Sequence, residues 1–153
     1  MVAYSYKGRF VAPIRVGLGL PVLDLHYELG GYIPGQPIRP KRQTIRAIGL
    51  KRHALPNETV QLYHAQRSPK CFKIGEATCT ASDDIRLYVR SEQIEIRRRD
   101  RCSELIQKPG ALDRFAQKDG FDDWADMRAF WLEEHDGKQL GPFVGVLVEW
   151  VPL

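Results

Sequence analysis

No run of apolar residues in this chain is long enough to span a bilayer, and its first residues lack the basic-then-apolar order of a signal peptide. Both absences point to a cytoplasmic protein without a membrane partner. Cysteine is scarce as well. Cys71, Cys79 and Cys102 are odd in number and lack the paired short spacing of a zinc site, so reduced thiols are expected. Cys71 and Cys79 fall on runs that read as strand, where cysteine serves as a small buried hydrophobe. The histidines His26, His53, His64 and His135 are scattered without metal-ligand spacing, and the expectation is no metal and no cofactor. Internal repeats and low-complexity tracts are lacking too.

What is present fits one domain. A chain of 153 residues can bury a real core but is short for two, so residues 1–153 are read as a single unit. The formal charge of +4 is modest and unevenly spread. Arg39, Lys41, Arg42, Arg46, Lys51 and Arg52 run without an acid among them, and Arg97, Arg98, Arg99 and Arg101 form a second basic cluster. Residues Asp113 to Asp136 are acidic by contrast. If the two basic segments met in space, they would displace counterions from a nucleic-acid backbone; apart, they are solvated faces.

Periodicity predicts a mixed α+β chain. Val2 to Tyr6 reads as a strand, and Phe10 and Ile14 mark a short helix ending at Gly17. Residues 18 to 40 are rich in Gly and Pro yet carry Leu20, Leu23, Leu25, Leu29 and Ile33, which excludes a flexible linker and argues against one long helix. Strands are expected at Thr59 to Tyr63, Lys70 to Thr80 with an irregularity near Gly75, and Ile85 to Val89 paired with Gln93 to Ile96. Pro109-Gly110 breaks the chain before a helix from Ala111 to Lys118. Asp122 or Asp123 can cap a second helix, whose Trp124, Met127, Phe130 and Trp131 recur at helical spacing and belong to the core. Phe143 to Val151 alternates as a closing strand. Short strands at close intervals predict a small barrel or curled sheet flanked by short helices.

The richest segment is Pro40 to Arg46, Pro-Lys-Arg-Gln-Thr-Ile-Arg. Proline fixes the entry, the following residues favour an extended backbone, and period-two alternation places Arg42, Thr44 and Arg46 on one face. Such a face suits phosphate or a polarised carbonyl.

Two separated segments together resemble a known family. Lys41-Arg42-Gln43-Thr44-Ile45-Arg46 resembles the Lys-x-x-Thr-x-Arg signature of ASCH domains, which belong to the PUA-like fold. Phe115 to Phe121, followed by Asp126-Met127 and Phe130-Trp131, resembles their second signature, and Gly145 to Trp150 fits their closing strand. The resemblance implies a small mixed β-barrel flanked by helices, with a cleft facing an acidic residue. It also implies RNA or a modified nucleobase or nucleoside as partner, for which the signature and the basic clusters offer Arg42, Arg46, Lys51, Arg52, Arg97, Arg98 and Arg99. Some ASCH proteins are amidohydrolases of acetylcytidine and others are reported as ribonucleases. In the amidohydrolase pattern the proton acceptor, nucleophile and proton donor would be Lys41, Thr44 and Asp119.

That assignment is chemically coherent. A hydroxyl becomes a nucleophile when a base removes its proton, and a lysine serves as that base when burial or neighbouring cations depress its pKa. Residues three apart on a strand face opposite ways, so Lys41 must sit in the bend before the strand to reach Thr44. The chain departs from the family in two places. Asp119 stands where the amidohydrolases use glutamate, and residues 18–40 insert ahead of the lysine, as a lid, a homodimer contact or extra core. The structural alternative makes Lys41 a solvated cation, Thr44 an ordinary strand residue and Asp119 a partner of Arg46.

Overall fold

The structure, a computed structural model, describes residues 1–134 and 141–153. His135 and the end of the acidic segment at Asp136 lie outside the described residues. Strand β1 (Val2–Tyr6) buries Tyr4 and Tyr6, and a single 3-10 turn (Gly8–Phe10) leads into helix α1 (Val11–Gly17). Pro13 is tolerated in the first turn of α1, where its missing N–H costs nothing. Helix α2 (Asp24–Gly30) lies within the segment expected to be an insertion and stops at Gly31, which takes the left-handed φ of 69°. Strands β2 (Gln43–Ala47), β3 (Thr59–His64), β4 (Phe72–Tyr88), β5 (Gln93–Arg97) and β6 (Glu104–Ile106) follow. Helices α3 (Pro109–Lys118) and α4 (Trp124–Glu134) precede the last strand, β7 (Phe143–Pro152). Asp123 accepts the Asp126 N–H at 2.8 Å, so it is the residue that caps α4.

The α+β class stands, with four helices and a seven-stranded sheet among the described residues. Its long member is β4. One edge of β4 carries β3 over residues 72 to 78 and β5 over 84 to 88, while β7 runs along the opposite edge from 77 to 87. β7 then pairs β2 on its far side, and β1 pairs β3 in parallel. The sheet is not closed into a barrel: among the described residues no ladder joins β1 to β2. Those two edges still approach each other, because Arg46 of β2 donates to the Ser5 carbonyl of β1 at 2.8 Å.

Sequence propensity missed three features here. β4 is continuous where Ala81-Ser82-Asp83-Asp84 reads as a break, because Arg98 pairs with the buried Asp83 and satisfies a carboxylate that strands normally reject. β6 is only three residues long and carries no periodic signal. Cys71, expected in the core, is exposed just before β4, whereas Cys79 is buried as expected.

The core joins Tyr6, Phe10, Ile14, Leu62, Ile85, Leu87, Ile94, Leu147 and Trp150 to the inward stripe of α4, Trp124, Met127 and Trp131. The segment 18–40 packs α2 against the 3-10 turn and α1, and Leu29 reaches the core while Leu23, Leu25 and Ile33 are exposed. No helix among the described residues is long and apolar enough to cross a membrane.

Candidate active site

The site forms where the bend before β2 is pinned between three elements. The Lys41 N–H donates to the Pro13 carbonyl at 2.9 Å, and the Arg42 N–H donates to the Lys118 carbonyl at 3.0 Å. The Arg42 carbonyl accepts the Trp150 N–H at 3.0 Å. Lys41 therefore precedes the strand, as the spacing argument required, and β2 starts only at Gln43. Two glycines make room for it. A Cβ on Gly17 would lie 2.2 Å from the Lys41 carbonyl oxygen, and one on Gly120 would lie 3.1 Å from the Lys41 Cβ. Gly17→Ala is expected to push the bend off α1 and to cost about 1–3 kcal/mol, the usual penalty for overpacking. Urea unfolding of the variant measures the loss; an unchanged midpoint would mean that the bend relaxes freely.

Asp119 is placed by the way α3 ends. The Phe121 N–H donates to the Ala116 carbonyl and the Gly120 N–H to the Gln117 carbonyl, both at 3.0 Å, with Gly120 at φ 90°. This Schellman arrangement stops the helix and seats Asp119 at its last half-turn. There the Lys41 amine donates to the Asp119 carboxylate and, at 2.6 Å, to the Asp119 carbonyl. Two of the three ammonium N–H bonds are thus used, which leaves one for the cavity. Lys41 is 2% exposed and Asp119 3%, so the solvated-cation alternative does not hold. The partner of Asp119 is Lys41 and not Arg46.

Burial dominates the electrostatics. It lowers the Lys41 pKa although the Asp119 charge opposes it, and it raises that of Asp119 although Lys41 opposes it. The Lys41 amine also lies 4.6 Å from the centre of the Phe10 ring, which offers only a weak cation–π replacement for water. Tyr6 is pushed up to about 12 by burial, against the pull of Arg46 and Thr44. The Arg46 Nε is buried without a hydrogen-bond partner. Unsatisfied buried polar atoms are uncommon in native proteins, and this one belongs to a residue of a cavity.

That cavity has a volume of about 280 Å³. Lys41, Asp119, Thr44 and Arg46 form its polar side together with Tyr6, and Phe10, Phe121, Phe130 and Trp131 form its aromatic side. The Arg46 guanidinium stacks 4.6 Å from the Tyr6 ring centre and 5.3 Å from that of Tyr4. Lys7 and Glu134, joined as an ion pair, also line it. The residues lining the cavity come from outside the 18–40 segment, which covers α1 instead of acting as a lid.

The remaining basic residues scatter. Arg42, expected beside Thr44 and Arg46, lies ahead of the strand, is exposed and donates to the Gly17 carbonyl at 3.1 Å. Lys51 and Arg52 line a second, wider cavity, with Arg52 held by Glu58. Arg97 and Arg99 are exposed at the end of β5 and beyond it, and line neither cavity. The Arg98 side chain is 6% exposed and paired with Asp83, Glu104 and Glu149, so it is committed to the fold. Sequence reasoning missed Tyr6, Phe10 and Phe121 as lining residues, because only their packing, and not any motif spacing, directs them to the cavity. Phe130 and Trp131 were read as core alone.

No family model, no curated protein and no solved structure matches the chain. Among the described residues no group of three or more His, Cys, Asp or Glu is placed to hold a metal ion. The groups lining the cavity include an amine, a hydroxyl, a carboxyl and a guanidinium, together with aromatic rings of the kind that stack on a flat ligand. Such a set can exchange protons, add to a carbonyl and hold the resulting oxyanion.

Proposed function

We propose that the small cavity binds a modified nucleobase, as a nucleoside or within RNA, and that it hydrolyses the amide of an N-acylated cytidine. The resemblance to ASCH domains of the PUA-like fold suggests the substrate, and a curled sheet flanked by helices is compatible with it. The observation that carries the reading is the convergence of the buried Lys41, Thr44 and Asp119 on one cavity. Its volume is near the lower end of the ~300–1,000 Å³ typical of small-molecule sites, which suits a single ring.

In the reaction the Thr44 hydroxyl oxygen forms a bond to the amide carbon as neutral Lys41 takes its proton. Arg46 holds the oxyanion. The carbon–nitrogen bond then breaks as protonated Asp119 gives its proton to the departing cytosine amine. Water hydrolyses the acyl ester on Thr44, releasing the carboxylic acid and restoring the hydroxyl. The required state, neutral amine with neutral acid, differs from the ion pair only by transfer of one proton between Lys41 and Asp119. Burial favours that transfer, because it disfavours both charged forms. The pair therefore titrates as a unit. Turnover is expected to follow a bell in pH, falling at low pH where the pair holds two protons and at high pH where it holds none.

Incubating the protein with N4-acetylcytidine and following acetate release across pH tests this. Thr44→Ala should abolish release. Full activity in that variant, or a profile without an acid limb, would remove the mechanism. A ribonuclease reading has less support, since among the described residues no histidine lines the cavity.

A further inference from the structure

We propose that the molecule recognised in the small cavity carries phosphate, and that the wider cavity beside it is the phosphate site. The inference rests on the nucleobase reading of the small cavity. The two cavities share one residue, Arg46, whose guanidinium stacks between Tyr4 and Tyr6. The wider one has a volume of about 1010 Å³ and runs along the open seam between β1 and β2. Among the described residues none that lines it is acidic, while Arg46, Lys51, Arg52, His53 and Arg67 all line it.

These cations are not equivalent. Arg52 donates two hydrogen bonds to the Glu58 carboxylate, and His53 is occupied with the Ala47 carbonyl and the Tyr4 hydroxyl. Lys51 and Arg67 are exposed and have no ion pair among those of the described residues. Arg67 is held there at a cost. It and Ala65 both take left-handed backbone angles, φ 66° and 49°, each worth about 1–2 kcal/mol of strain for a residue other than glycine. The turn is fastened to β1 by the Gln66 N–H, which donates to the Ser5 hydroxyl at 3.0 Å. A base seated against Tyr6 and Phe10 would leave through the Arg46 side, and its sugar-borne phosphate would meet Lys51 and Arg67. A free nucleoside uses none of this surface.

The test compares N4-acetylcytidine, its 5′-monophosphate, and a short single-stranded RNA with and without one acetylcytidine, on the full chain at low salt. The monophosphate or the modified RNA should bind at least tenfold tighter than the nucleoside. In Lys51→Ala/Arg67→Ala that ratio should fall toward one, and the salt slope for RNA should drop by about 1.4, at ~0.7 per phosphate on a single strand. A gain from the monophosphate alone marks a free nucleotide as the source, and a gain only from RNA marks a strand. Equal binding of nucleoside, nucleotide and modified RNA overturns the phosphate site and leaves the nucleobase reading standing. Failure of every acetylated form to exceed unmodified RNA overturns the nucleobase reading, and the joint site with it.

Discussion

Replacing Lys41 by alanine is expected to slow amide hydrolysis by orders of magnitude and to lower stability by about 3–5 kcal/mol, the penalty for removing one partner of a buried ion pair. Asp119, 3% exposed, would keep its place at the end of α3 with no cation to offset its charge. It would then stay protonated, and its pKa would rise further than burial already takes it. Loss of the base should reduce turnover by about 10²–10⁴-fold, the usual contribution of general acid–base catalysis. A double variant separates the two roles. Lys41→Met/Asp119→Leu replaces the pair by apolar groups and is expected to recover most of the stability, as such replacements often do. It should recover none of the activity. Urea midpoints and acetate release measured on wild type, both alanine single variants and the double variant give the result. Recovery of turnover in the double variant would mean that the pair supports the fold and does no chemistry.

Arg98→Ala is expected to cost a similar ~3–5 kcal/mol while leaving the small cavity intact. The guanidinium donates to Asp83, Glu104 and Glu149, and so ties β4, the end of β5, β6 and β7 together. Its loss would leave Asp83, at 3% exposure, without a cation, and Glu149, at 8%, with Lys118 alone. For a domain of this size the melting temperature should drop by about 10 °C, at ~2–4 °C per kcal/mol. The pH dependence should change with it. Burial raises the Glu149 pKa, but Lys118 and Arg98 together outweigh it and hold the group below its ordinary 4.5. A depressed carboxylate adds stability above its unfolded pKa and gives it up as pH falls through the folded value. Wild type should therefore lose stability below about pH 4.5, and Arg98→Ala should lose less over that interval. Melting curves between pH 3 and 7 on both proteins check this, and parallel curves would show that Arg98 does not set the Glu149 charge.

Much of this was legible before any fold was known. Alternation in Val2 to Tyr6 and in Phe143 to Val151 marks strands because one sheet face must be apolar, and Trp124, Met127 and Trp131 mark a helix because their spacing makes one stripe. Lys41 was assigned to a bend by the incompatibility of a three-residue offset with a common strand face. Arg42 was misplaced by the same alternation rule, extended one residue too far: β2 starts after it. Arg98 looked like a free cation because nothing within a few residues of it predicts burial.

By itself, then, the order of residues determined most of the elements, the place of Lys41 in the bend before β2, and the aromatic stripe, all of which depend on neighbours within about two turns or four strand positions. Only the tertiary structure decided that Lys41 takes Asp119, 78 positions away, and that Arg98 is spent on Asp83 and Glu149. It also decided that Tyr6 and Arg46 line the cavity. The reason is physical. Whether a charge is a surface ornament or a buried half of a pair depends on what packing removes from water, and packing is settled by residues distant in the chain.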